Sequence, residues 1–445
     1  MIGEKQSLMK DDVLWNALGS MTYALASMVL AFFVLRILGE KEGGIFGFGY
    51  STLGQQFFIL AYFGSRPFHI TDMRGEFSFR DYHYFRILSS FFAVLLSIFF
   101  LLYQYTNGSY TVEKVSILFF LCLYKILDGY IDVYESELQR LGKLYKTGQS
   151  LFFRTILSVF VLLCGLLLSK TLLLGVILMN LSQVLSLYLF AILPLEETRE
   201  LGAVHLIHNE YRSQSVRYLV GEKTAFTQKM KALFSGSVFL FLSVFLDFYV
   251  FSSSKYAVDA VLGSSSSGIY NLLFMPSNFI YLLANFIIRP ALPTLAALWQ
   301  SGDKLRFKKE ESSLMKKVLL LSLLLFGLAF LLSPLALWIL EKLLGPAFSG
   351  KITGERWTFC LLILGGCFYA LANLEYYILV TKRQQKRIFT GYALGAVLSF
   401  FTADLMVQEA GFFFASIQFV LMMLFLFLFF LFSGSHVKIA GRKGK

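Results

Sequence analysis

The chain states one phrase twice. Residues 38 to 46 read LGEKEGGIF and residues 262 to 270 read LGSSSSGIY. Leu38, Gly39, Gly44 and Ile45 recur as Leu262, Gly263, Gly268 and Ile269, each 224 positions further on, and Phe46 is answered by Tyr270. Each phrase opens an apolar stretch that ends in Arg-Pro. The two ends, Arg66-Pro67 and Arg289-Pro290, lie 223 apart, so one residue has been lost between the copies. Since 224 is about half of 445 residues, the chain reads as two related halves in tandem.

What the halves are follows from composition. Hydrophobic residues make up 57% of the chain and charged residues only 15%, a balance that a soluble domain does not carry. Apolar spans of helix-crossing length lie near 13–37, 45–65, 84–103, 113–134, 150–169, 172–193, 230–251, 268–289, 317–340, 357–380, 388–407 and 412–432. The first span is too long for a signal peptide and lacks a small-residue cleavage site, so it reads as a retained helix. The expected fold is therefore an all-α integral membrane protein of about twelve crossings, in two six-helix bundles around a central cavity. With an even number of crossings per half, both halves enter from the same side and the repeat is parallel. The expected division is a bundle over 1–193, a cytoplasmic linker over 194–228 with an amphipathic surface helix, and a bundle with a basic tail over 229–445. A tandem repeat in the bilayer points to a transporter whose site lies between the halves.

Charge gives the orientation. The loops on one face, with both termini, carry 31 Lys and Arg, and the opposite face carries 8, which puts both termini in the cytoplasm. The net charge of +12 is mostly this bias together with attraction to membrane lipids. The basic groups are scattered over short segments, so nucleic acid is not an expected partner. The four cysteines lie within spans and show no metal spacing; neither a metal nor a cofactor is expected.

Polar groups inside the spans are the functional candidates, because charge is costly there. In the fourth span Lys125, Asp128, Asp132 and Glu135 share one helical face, and Lys125 and Asp128 are spaced to pair. Two readings fit: an ion-coupling cluster, or an internal ion pair that fixes packing. The second and eighth spans obey the repeat. Gln55 and Arg66 are eleven apart, as are Asn278 and Arg289, and Asn271 and Asn285 extend the second stripe. Such stripes suit a water-filled cavity whose guanidinium groups hold an anion; the alternative is that both arginines anchor helix ends. Asn16 and Arg36 on the first span are further cavity candidates, with Arg36 also readable as a snorkelling anchor. Asp247 on the seventh span is a further coupling candidate, and Asn373 and Glu375 add polar groups to the tenth.

With its flanks the first phrase is RILGEKEGGIFGF, and the second is VLGSSSSGIYNLLFMPSNFIYLLANFIIRPALPTL. Together with LLGPAF at 343–348, these resemble bacterial polysaccharide flippases (Wzx-type, the polysaccharide branch of the multidrug/oligosaccharidyl-lipid/polysaccharide superfamily). The resemblance implies a pair of six-helix bundles, with spans one, two, seven and eight lining a cavity, in the bacterial cytoplasmic membrane. It implies a polyprenyl-pyrophosphate-linked glycan as cargo, carried from the inner to the outer leaflet by alternating access for cell-surface polysaccharide biosynthesis. Glycan polymerase and glycosyltransferases would be partners, and a proton or sodium ion would be the coupling ion. The expected protein is not an enzyme. A multidrug extruder of the same superfamily would want an acidic cavity, and a peptidoglycan-precursor flippase two more spans. A glycan polymerase or ligase would want catalytic groups on a large outer loop.

Overall fold

A computed structural model describes residues 2–72, 76–206 and 222–435, with side chains described over 11–72, 76–199 and 226–434. Every regular element among these residues is helical. In chain order they are α1 (Ile2–Leu38), α2 (Glu40–Phe48), a π turn (Gly49–Leu53), α3 (Gly54–Tyr62), α4 (Arg66–Thr71), α5 (Phe79–Thr106) and α6 (Val112–Arg140). Then come α7 (Leu144–Ser169), α8 (Leu172–Leu187), a second π turn (Tyr188–Ile192) and α9 (Leu193–Leu206). After residues 207–221, α10 (Glu222–Ser301), α11 (Lys304–Leu344), α12 (Arg356–Thr381) and α13 (Gln385–Ser435) complete the chain.

Eight of these helical stretches are long and apolar enough to cross a bilayer. Two of the eight are double. Gly263 (φ 80°, ψ 178°) breaks α10, and Ala410 and Gly411 break α13. Two further crossings fail a simple hydropathy test for identifiable reasons. α6 carries the charged cluster, and the second crossing is cut into α2 and α3 by the π turn. The sum is the expected twelve.

The π turn also accounts for the missing residue of the repeat. A π turn inserts one extra residue into an α-helix. The offset between the copies is 224 before Gly49–Leu53 and 223 after it, as one inserted residue in the first copy requires. The phrase itself is conformational. Gly39 and Gly263 end their helices with φ of 88° and 80°, a region that L-residues with a Cβ rarely adopt. Further along, the ends of α6 and α12 close with the same three backbone hydrogen bonds. Leu141, Gly142 and Lys143 donate to Glu137, Gln139 and Leu138, and Lys382, Arg383 and Gln384 donate to Ile378, Val380 and Leu379. Each partner is 241 residues from its counterpart, so α6 and α12 are the fourth helix of each copy, in a known register.

Packing divides the chain into two compact units. The first is Met1–Leu38 with Gly49–Val244, and the second is Gly39–Phe48 with Phe245–Lys445. Inside each, helices approach over small residues, as helices in lipid do when no hydrophobic force drives them together. In the first unit a Cβ on Gly19 would lie 2.5 Å from the Gly148 carbonyl oxygen, and one on Gly165 3.1 Å from the Gly175 Cα. In the second, a Cβ on Gly366 would lie 3.1 Å from the Ser277 backbone. There too the two phrases meet: a Cβ on Gly268 would come within 3.0 Å of the Gly44 backbone. The opposite helix faces carry exposed Phe and Leu, such as Phe99, Leu168 and Leu331, and form the lipid-facing surface. The expected linker helix falls partly on 207–221, and the basic tail on 436–445; both of these, with Arg74, lie outside the described residues.

Candidate functional site

In the first unit the charged face of α6 is buried, and every member has a partner. Lys125 and Asp128 do not pair directly; Tyr23 of α1 stands between them. The Lys125 ammonium donates to the Tyr23 hydroxyl at 2.9 Å, and that hydroxyl donates to Asp128 Oδ2 at 2.7 Å. The same ammonium lies 4.0 Å above the Tyr50 ring. Arg154 of α7 ion-pairs with Asp128, and its Nε lies 3.2 Å from Glu135 Oε1. One turn further on, Asp132 is held by two arginines. Arg86 of α5 donates to it at 2.9 Å, and Arg66, the first residue of α4, contributes a second ion pair while donating to Gln139 at 2.8 Å. This cluster thus holds four cations, Lys125, Arg154, Arg86 and the largely covered Arg66, around three carboxylates.

The second unit is built differently. Asp247, on the first crossing of α10, accepts from the Tyr369 hydroxyl of α12 at 3.1 Å. The Tyr392 hydroxyl also approaches it, and Tyr281 and Tyr376 lie nearby. Among the described residues no cation pairs with it. Asn285, buried, donates to the Tyr281 carbonyl and accepts from Asn373 at 3.2 Å. Glu375 is buried near the Glu311–Lys382 ion pair of 3.1 Å.

The remaining candidates separate into two groups. Asn271 is buried, donating to Ser267 at 2.9 Å, with Gly47 packed over it. Gln55 is half-buried, while Asn16, Arg36, Asn278 and Arg289 are exposed. Arg289 makes no ion pair among the described residues, so the repeat-matched arginines differ: Arg66 is tied to a carboxylate and Arg289 is not. Arg86 and Arg154, which the loop-charge count takes among its 31 basic residues, are both buried partners of the cluster. Sequence reasoning also passed over Tyr23 and Tyr369. The available signal for the arginines was their flanking: Arg86 follows Phe85 and precedes Ile87, and Arg154 follows Phe152 and Phe153.

Beyond the apolar part of α6 a second network ties α4 to its end. His69, buried and stacked on Tyr82 at 4.1 Å, bonds to Glu137 at 2.9 Å. Arg140 donates twice to Glu137, at 2.7 and 2.8 Å. Burial alone would push the Glu137 carboxyl up, but the hydrogen bonds from His69 and Arg140 outweigh it and hold it at about 2. Burial keeps the His69 imidazole below its ordinary value, against the pull of Glu137.

No family model matches the chain, and no curated protein matches it. Solved structures do. A point mutant of the Vibrio cholerae MATE transporter VcmN superposes with a TM-score of 0.61 at 12% identity, covering 98% of each chain. The lipid II flippase MurJ, in an inward closed conformation, gives 0.62 at 14% identity over 96% of this chain and 88% of its own. The eukaryotic MATE transporter AtDTX14 gives 0.60 at 12% identity over 97% of each. The chain has the twelve-helix, two-lobe all-α fold of these membrane proteins.

Proposed function

We propose that this protein is a transporter of the same superfamily as those structures, and that it moves a polyprenyl-pyrophosphate-linked glycan from the cytoplasmic to the outer leaflet. It would act in the bacterial cytoplasmic membrane, with both termini inside, and no covalent bond would be made or broken. The observation that carries this reading is an Arg289 that has no ion pair among the described residues at the position matching Arg66, together with the four cations gathered around three carboxylates beside α6. Guanidinium groups bind phosphate oxygens in bidentate fashion. Outward movement of an anion from a negative interior is favoured by ~2.3 kcal/mol per charge per 100 mV. Gln55 and Asn278 are the proposed sugar contacts, and Asn285 continues the stripe of Asn278. Asp247 is the proposed proton or sodium site, because Asp128 and Asp132 are already neutralised by arginine.

A second reading has an observation of its own. Asp247 among Tyr281, Tyr369, Tyr376 and Tyr392 is an acidic, aromatic site of the kind that suits an organic cation, which favours a cation-coupled multidrug extruder.

The deciding experiment uses proteoliposomes. Transbilayer movement of a fluorescent polyprenyl-pyrophosphate oligosaccharide is measured for wild type, Arg66→Ala and Arg289→Ala. The flippase reading expects movement that falls at least tenfold in Arg289→Ala. Export of a cationic dye that depends on Asp247, without lipid movement, would replace it with the extruder.

A further inference from the structure

We propose that Lys255 is an anion-binding site in the second unit that takes a phosphoryl group on the outward part of the path; its cargo rests on the flippase reading above. Lys255 is 3% exposed. Its ammonium lies 4.0 Å from the Phe274 ring centroid and 5.6 Å from that of Phe251. Among the described residues it makes no hydrogen bond and no ion pair. Neighbouring cases show how unusual this is for the molecule. Arg154 has Asp128 and Glu135, Arg86 has Asp132, and Lys382 has Glu311. Asp259, one turn beyond Lys255, is also buried.

Ring faces attract an ammonium but do not replace its water, so a charged Lys255 requires an anion. Ser252 and Ser254 on the same helix, and Tyr270 one turn from Phe274 on the next, have buried hydroxyl groups that complete no hydrogen bond. The Tyr270 and Ser254 hydroxyls lie against each other. An ammonium with uncommitted hydroxyls and no paired carboxylate is a donor set for phosphoryl oxygens.

Position gives the group its role. Lys255 lies eight residues before the Gly263 break, ~12 Å along the helix, whereas Arg66 and Arg289 stand at the other ends of their crossings. With the termini cytoplasmic, the arginines meet the phosphoryl group first and Lys255 meets it near the outer leaflet. The phosphoryl group has two sources, the pyrophosphate of the cargo or the phosphate of an anionic membrane lipid.

The test uses the full chain in neutral-lipid nanodiscs. Thermal stabilisation is titrated with undecaprenyl pyrophosphate, with undecaprenol and with phosphatidylglycerol, for wild type, Lys255→Arg, Lys255→Gln and Lys255→Met. The expected result is stabilisation of wild type and Lys255→Arg by the pyrophosphate lipid, at least tenfold weaker apparent affinity in Lys255→Gln, and no effect of undecaprenol. Without ligand, the Gln and Met variants should melt at or above wild type, because an uncompensated charge has been removed. Equal affinity in wild type and Lys255→Gln overturns the site. So do stabilisation by undecaprenol alone and a large loss of ligand-free stability in both the Gln and Met variants. Phosphatidylglycerol as effective as the pyrophosphate lipid overturns the cargo assignment and gives the site to a membrane lipid. A wild type that binds through Lys255 but moves no lipid in proteoliposomes overturns the flippase reading and leaves the site standing.

Discussion

Both units carry a tyrosine–aspartate hydrogen bond between their first and fourth helices, with the residues exchanged. In the first, Tyr23 donates to Asp128; in the second, Tyr369 donates to Asp247. The positions correspond: Asp247 follows Tyr23 by the 224 of the repeated phrase, and Tyr369 follows Asp128 by the 241 of the fourth-helix ends. Around this shared bond the units diverge. At the offset of 241, Gly366 stands for Lys125, Asn373 for Asp132, Tyr376 for Glu135 and, one helix on, Gly395 for Arg154. The first unit surrounds its pair with a closed ionic network, while in the second no cation pairs with the carboxyl among the described residues. One exchanged tyrosine–aspartate pair thus sits in two different electrostatic surroundings.

The strongest break of this contrast is Arg154→Met. It strips the shared partner from Asp128 and Glu135, both buried, and leaving a buried charge unpaired costs about 3–5 kcal/mol. The expected outcome is a large drop in the melting temperature of the purified protein, partly restored by Asp128→Asn in the same chain. A variant that melts like wild type would remove the claim that the network holds the first unit together.

Next in size is the paired comparison of Asp128→Asn with Asp247→Asn. The first leaves Arg154 facing a neutral amide and should destabilise by about 2–4 kcal/mol. The second should leave the melting temperature within about 0.5 kcal/mol of wild type while abolishing the dependence of transport on a proton or sodium gradient. If the two variants lose similar stability, Asp247 is as structural as Asp128 and the contrast fails.

Much of this architecture could be read from the sequence, because crossing length and a repeated phrase are both local signals. The single-residue slip between 224 and 223 was visible as a number, but its cause, the π turn at Gly49–Leu53, was not. The partners of the α6 cluster were hidden by the habit of reading cations near span ends as loop residues. Arg86 and Arg154 stand near the starts of the spans at 84–103 and 150–169 and so count with the loop cations, whereas α5 and α7 begin at Phe79 and Leu144 and carry them well inside. The tyrosine–aspartate exchange could not be found by matching residues, since neither position keeps its type between the copies. It needs the registers of two helices that only the backbone supplies.

Acid should also separate the units. Glu137 sits at about 2 in the fold against an ordinary 4.5, so its stabilising bonds are complete above 4.5 and are lost as the pH falls toward 2. His69 is held below its ordinary 6.5 by burial. The unfolded chain therefore takes up that proton first, and stability again falls as the pH drops below 6.5. At the matching positions the second unit has Leu292 and Ile378, which cannot titrate. Hydrogen exchange between pH 7 and 5 should show α4 and the end of α6 losing protection while the end of α12 does not, and His69→Gln should flatten that loss.

The smallest effect tests the second unit alone. Asn373 donates to Asn285 at 3.2 Å where the first unit pairs Asp132 with two arginines. Hydrogen bonds between helices in a membrane average only ~0.6 kcal/mol in double-mutant cycles, because the separated helices find other partners. A cycle of Asn285→Ala and Asn373→Ala should therefore give a coupling of about that size, several times smaller than the cycle of Arg154→Met with Asp128→Asn. A coupling above ~2 kcal/mol would mean that the second unit is fixed by this amide pair as firmly as the first is by its charges. The freedom ascribed to Asp247 would then have to come from its tyrosines alone.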